Sequence, residues 1–222
     1  MKLAKLIIAT FLFLGCQLSF AQEADSLLAE LSVETEQTKL LPEKMLLTQR
    51  LFWGEKGLYR KMGIVPELTP ENRQRELRIR RNMFKIHQAF GWATAAGMLA
   101  QGILGARLYK GNAENFDKIK KAHEATALGI NIAYTTTALM AFTSPPAQVR
   151  RKGTSTASVH RALSYVHISG MIATNVLSRQ IEKSRENQNF ERLADMKGYH
   201  RAAAFTTFAT FATAIAILKF EF

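Results

Sequence analysis

Four apolar runs, each opened by a histidine, constrain this chain more than any other feature. His87, His123, His160 and His200 are spaced 36, 37 and 40 residues apart. Each begins a stretch of about 20 mostly apolar or small residues, enough to cross a bilayer as a helix. The runs cover roughly 87–108, 123–142, 159–177 and 199–218, and apart from end positions, where Arg107, Glu124, Arg161 and Arg201 stand, they carry no Lys, Arg, Asp or Glu. Helices of a soluble bundle each need a charged outer face, so these favour lipid. The expected fold is all-α, a membrane four-helix bundle over 83–222, although none of the runs is strongly hydrophobic and a soluble bundle is the alternative. If the helices run up and down, His87 and His160 lie at one membrane face and His123 and His200 at the other.

The first residues, MKLAKLIIATFLFLGCQLSFAQ, read as a secretory signal peptide over 1–21. Lys2 and Lys5 form the charged start, Leu6 to Leu14 the apolar run, and Ser19-Phe20-Ala21 a small-x-small cleavage site. A competing reading lipidates Cys16, but Phe is a poor residue three positions before such a cysteine. Cys16 is the only cysteine. Its loss with the signal excludes disulfides, thiolate metal sites, iron–sulfur clusters and covalent c-type haem attachment, leaving histidine as the main candidate ligand. The formal charge is +12, with no nucleic-acid motif beside it. With four spans, that charge suits helix ends facing lipid headgroups or bound anions.

Residues 22–82 are expected to form an extracytoplasmic helical lead. Residues 22–41 are acidic and poor in apolar residues. From Pro42, apolar Met45, Leu46, Leu47, Leu51, Phe52, Trp53 and Tyr59 alternate with Lys44, Arg50, Lys56, Arg60 and Lys61. That mixture fits either a segment in the membrane interface or a short helical hairpin packed on the bundle. Thr69-Pro70-Glu71 supplies an N-cap, a proline at the first helical position and an acid in the first turn, starting a helix that continues into the first span. Ser144-Pro145-Pro146 stops the second. Signal cleavage puts the N-terminal segment outside, so the chain is expected in a bacterial inner membrane as a multi-pass protein. Basic residues in loops 109–122 and 179–198 agree with that orientation, but Arg73 to Lys85 and Arg150-Arg151-Lys152 are equally basic on the supposed outside.

A helix N-terminus favours neutral imidazole, the form that binds metal. One histidine per helix at near equal depth is what two bis-imidazole irons in a four-helix bundle require. One turn further in, on the same face, stand Gly91, Ala127, Ser164 and Ala204, all small enough to leave room for a porphyrin. Small residues are also common throughout these helices, where they allow close packing.

The stretches IHQAFGWATAAGMLAQGILGARLY, AHEATALGINIAY, VHRALSYVHISGMIATNVLSR and YHRAAAFTTFATFATAIAIL resemble the four haem-binding helices of the cytochrome b561 family of transmembrane electron carriers. The resemblance covers roughly 84–218. It implies two non-covalent b-type haems, with His87 and His160 as axial ligands of one and His123 and His200 of the other. The chain departs from the family in lacking its usual flanking helices and any attached soluble redox domain.

His167 lies seven residues after His160, on nearly the same face and ~10 Å deeper. It reads as a satisfied polar core residue, with a role as alternative ligand behind that. Haem propionates need cationic partners; Arg161 and Arg201, directly after paired histidines, are the best candidates, with Arg80, Arg81, Lys85, Lys120 and Lys121 also available. Most such cations snorkel to headgroups. The expected function is single-electron transfer across or along the membrane, with a quinol, a periplasmic redox protein or a small reductant as partner. The alternatives are a cofactor-free helical anchor or assembly subunit with structural histidines, and a metal-binding or transport protein, disfavoured because only Glu124 is near as a carboxylate. Serine, cysteine and phosphate-binding catalytic signatures are absent from the sequence.

Overall fold

A computed structural model describes residues 40–110, 115–148 and 155–219. The expected signal peptide and the acidic stretch 22–39 lie outside these. Among the described residues every regular element is helical: α1 (Leu47–Trp53), α2 (Leu58–Lys61), α3 (Pro70–Lys110), α4 (Phe116–Thr143), α5 (Thr156–Glu186) and α6 (Phe190–Ala216), followed by a 3₁₀ turn at Ile217–Lys219.

The helix boundaries follow local chemistry. Thr69 Oγ1 accepts the Asn72 amide at 3.2 Å ahead of Pro70, whose missing N–H costs nothing at a first helical position. Ser155 and Ser158 close a reciprocal cap at the start of α5, each hydroxyl accepting the other's backbone N–H at 3.3 and 2.9 Å. Asn189 Oδ1 caps α6 through the Arg192 amide at 3.0 Å. Between α5 and α6, Gln188 turns the chain with φ of 52°, making the two helices an antiparallel hairpin.

The described residues divide into two compact units: 40–82 with 143–148, and 83–110 with 115–142 and 155–219. In the first, the end of α4 and the prolines after it present carbonyls that no helix can satisfy. Side chains from earlier in the sequence take them. Trp53 Nε1 donates to the Thr143 carbonyl at 2.7 Å, an Arg73 N–H to Pro146 at 2.6 Å, and an Arg80 N–H to Pro145 at 2.6 Å. Arg73 also pairs with Glu76 at 2.8 Å, and Arg60 reaches the same carboxylate. Arg73 and Glu76 are each only 2% exposed. Burial and the nearby Arg73 guanidinium bring Arg80 down to about 10, still charged at neutral pH. Tyr59 stacks on Phe52 and meets Trp53 edge to face. Residues 47–61 therefore form two short helices folded against the Arg73–Glu76 turn.

In the second unit α3 and α4 run antiparallel, with a Gly97 Cβ position against Ile130 and the Gln101 amide on the His123 carbonyl at 3.0 Å. Asn131–Asn175 and Lys120–Glu182 tie α4 to an antiparallel α5. At Gly170 a Cβ would stand 2.1 Å from Thr207 Oγ1, so only glycine allows α6 this close. Arg201 lies over the Tyr109 ring, 4.8 Å from its centroid, joining α6 to α3. The neighbours thus run α3, α4, α5, α6 in a ring, with α3 diagonal to α5 and α4 to α6. Buried between them are Ala95, Tyr134, Phe211 and Ala214 together with polar Thr94, Thr137, His167 and Thr207, while Leu128, Ile132, Leu139, Ile172 and Val176 face outward. Only α4 among the described helices is both long and apolar enough to cross a membrane by length and composition, and just 17% of its most apolar window is buried.

Candidate functional site

The two diagonals carry the paired histidines. On the first, the rings of His87 and His160 have centroids 6.4 Å apart and planes inclined by 67°. An imidazole nitrogen ~2.0 Å from a metal places its ring centroid roughly 3.2 Å away, so two rings ligating from opposite sides sit roughly 6.4 Å apart. The observed spacing fits one metal between them. Phe84 packs edge to face on His87 at 5.7 Å.

Backbone carbonyls orient the rings. His87 Nδ1 lies 2.9 Å from the Thr137 carbonyl on α4, and His160 Nδ1 lies 2.8 Å from the Ala214 carbonyl on α6. A carbonyl only accepts, so in each case Nδ1 carries the proton and the neutral ring keeps its lone pair on Nε2. Metal-ligating histidines are commonly held this way, with the second nitrogen donating to a carbonyl. Each ring bonds to a backbone carbonyl of a helix flanking its own.

On the second diagonal His200 repeats the arrangement, with Nδ1 3.1 Å from the Thr174 carbonyl on α5. His123 is close enough to interact electrostatically with His200. Its ring packs against α3 where a Cβ on Gly105 would come within 3.4 Å of its Cε1, so Gly105 makes the space. His123 Nδ1 is buried with no hydrogen-bond partner among the described residues. Three of the four histidines share one anchoring geometry, and the fourth does not.

Gly91 is enclosed, yet a Cβ built there would meet nothing within 4 Å, so there is room beside His87 that no side chain fills. Ser164 has turned its hydroxyl to the His160 carbonyl at 2.8 Å. Ala127 and Ala204 are half-buried.

His167 sits between the two pairs, seven residues from His160 and seven from Thr174, whose carbonyl anchors His200. It is 7% exposed, its Nδ1 is 2.6 Å from the Tyr134 hydroxyl, and its ring meets Phe211 edge to face at 5.1 Å. Arg201 lies over Tyr109 and Phe205. Arg161, half-buried, follows His160 in the first turns of α5. Arg80 is engaged with the carbonyl of Pro145.

Comparison with protein-family models, with curated proteins and with solved structures gives no match to this chain. Its chemistry must therefore be argued from its own residues. Among the described residues no group of three or more His, Cys, Asp or Glu could hold a metal ion. The histidines come in twos. An iron porphyrin would ask the protein for two ligands, whereas a bare zinc ion usually takes three or four from it.

Sequence reasoning located the histidines but missed what orients them. Thr137, Ala214 and Thr174 act through backbone carbonyls, which carry no residue-specific signal. Tyr134 could have been suspected as the lone phenol in the second run, but its partner is 33 residues away.

Proposed function

We propose that this chain is an integral membrane b-type dihaem cytochrome, resembling the cytochrome b561 family, that moves single electrons along or across the bilayer. The observation that carries the reading is the His87–His160 pair: rings at the separation a shared metal requires, each with Nδ1 tied to a carbonyl and Nε2 left to ligate. In its support, the outward faces carry Leu128, Ile132, Leu139, Ile172 and Val176, where a soluble bundle would place charge. The helices α3 to α6 are 41, 28, 31 and 27 residues long, each above the ~20 a span needs. Four spans are part of the proposal, as are a cleaved signal peptide and an extracytoplasmic first unit.

In this reading His87 and His160 hold one haem and His123 and His200 the other, through Nε2. Bound haem supplies a reversible one-electron couple, whose potential its surroundings set. The protein fixes ring orientation through the Thr137, Ala214 and Thr174 carbonyls. It also sets the separation: His160 and Thr174 are fourteen residues apart on α5, or ~21 Å along the axis. Tyr134, His167 and Phe211 fill that interval and keep water out of it.

A second reading has one observation in its favour. The Nδ1–carbonyl bonds would serve equally as ties between helices in a cofactor-free anchor, and the partnerless His123 Nδ1 suits a ring with no ligand to orient. Replacement separates the two. His87→Ala and His160→Ala are expected to remove the same haem component and leave the other, with His123→Ala and His200→Ala removing the second. Loss of one component on both His87→Ala and His123→Ala would overturn the diagonal pairing.

A further inference from the structure

His123 is the one paired histidine with no carbonyl on its Nδ1, and an atom able to take that place lies on the neighbouring helix. Gln101, on α3, donates its side-chain Nε2–H to the His123 backbone carbonyl at 3.0 Å. A carbonyl only accepts, which fixes how the amide is turned: nitrogen toward the carbonyl, oxygen away from it. That oxygen, Gln101 Oε1, is buried with no hydrogen-bond partner among the described residues, and so is His123 Nδ1.

The two atoms belong to one contact. Gly105 stands one turn after Gln101 on the same face of α3. A Cβ on Gly105 would lie 3.4 Å from His123 Cε1 and 3.9 Å from Nδ1, so the ring turns its Nδ1–Cε1 edge to the bare side of the glycine. Gln101 therefore meets the backbone of His123, and Gly105 meets its ring. When Nε2 ligates, Nδ1 carries the proton of the neutral imidazole. A buried N–H without an acceptor is costly, as is a buried amide oxygen without a donor. Here they are complementary, yet they make no direct hydrogen bond. One water accepts from the first and donates to the second, and two such partners are enough to hold it.

We infer that Gln101 is the positioning residue for His123, its Oε1 taking up the Nδ1–H through one buried water. The inference rests on the haem reading above, in which His123 ligates through Nε2. Gln101 then does for the fourth histidine what the Thr137, Ala214 and Thr174 carbonyls do for the other three. The difference is that this acceptor is a side chain, so it can be exchanged without altering the backbone.

The test compares Gln101→Glu and Gln101→Leu in the full chain in lipid nanodiscs. Its readouts are a redox titration of each haem component and NMR of reduced protein labelled at its histidine nitrogens. Glutamate keeps an oxygen for the water, so the potential of the His123–His200 component is expected to stay at its original value or fall. Leucine removes the acceptor and makes the imidazole less basic; that potential is expected to rise, and the haem to be held roughly 10–100-fold less tightly. The His87–His160 component, unchanged in both, reports an intact bundle. By NMR the His123 Nδ1 proton is expected to show a cross-peak to a bound water in the original chain and with glutamate, and to lose it with leucine. Equal shifts of potential in the two variants, or a His123 Nδ1 proton indifferent to leucine, would overturn the inference, because a mere tie to the His123 carbonyl leaves Nδ1 untouched. A colourless protein whose water-bound Nδ1 proton is lost with leucine would uphold the contact and sink the haem reading. A protein with two haems, both indifferent to leucine, would do the reverse.

Discussion

His87 and His160, on diagonally opposed helices, stand with ring centroids 6.4 Å apart while each donates its Nδ1–H to a carbonyl of a different flanking helix. Four helices are therefore committed to one pair of rings: α3 and α5 supply the imidazoles, α4 and α6 the carbonyls. The arrangement holds both Nε2 atoms available and removes rotational freedom from rings that would otherwise pay it on binding a ligand.

The room beside that pair gives the first prediction. Gly91 is enclosed with nothing within 4 Å of a Cβ position, so Gly91→Leu should fold and yet fill the space a porphyrin needs. Haem associated with His87 and His160 is expected to fall about tenfold or more, with the second haem retained, as read from the reduced spectrum. Equal loss of both haems would mean that the helix packing, and not the site, had failed.

His167 and Tyr134 give the second. Tyr134→Phe strands a buried imidazole nitrogen, at an expected cost of about 1–3 kcal/mol in thermal or denaturant unfolding. Tyr134→Phe with His167→Phe removes both partners and should cost less than the sum of the single changes. Haem content should be unchanged in every one of these variants if His167 is a packing residue, whereas loss of a haem on His167→Phe with His160→Ala tolerated would make His167 the ligand.

The third concerns the first unit. Glu76 is the carboxylate shared by Arg73 and Arg60, and both Glu76 and Arg73 are 2% exposed. Glu76→Ala leaves two guanidinium groups without their anion and is expected to destabilise the fold by about 3–5 kcal/mol. Arg73→Met should cost less, because Arg60 still pairs with Glu76. Comparable losses, measured by unfolding in detergent, would show that the Arg73–Pro146 bond matters more than the ion pairs.

What could be read from the sequence depended on how local its cause was. Thr69-Pro70 as the start of α3 and Ser144-Pro145-Pro146 beyond the end of α4 are one-turn effects of caps and missing N–H groups, and both stand where the sequence placed them. The first three apolar runs lie inside α3 to α5, and the fourth passes through α6 into the 3₁₀ turn; each helix begins before its run, most of all α3, which begins at Pro70. In the sequence, the basic stretch from Arg73 reads only as charge ahead of the first span. Arg73, Glu76 and Arg80 instead share one helix face, spaced three and four apart, and are drawn in by carbonyls that two prolines expose more than sixty residues later. That spacing was a usable signal; the identity of its acceptors was not. The Asn131–Asn175 pair and the Tyr134–His167 bond join residues 44 and 33 apart, and only the packing of α4 on α5 brings them together.

The most direct measurement is the visible spectrum of the detergent-purified full chain, oxidised and then reduced with dithionite, with haem quantified per chain. The account predicts a sharp reduced α-band and close to two haems per chain. A colourless protein, obtained from cells with ample haem, would contradict it and leave the carbonyl-anchored histidines as ties between helices.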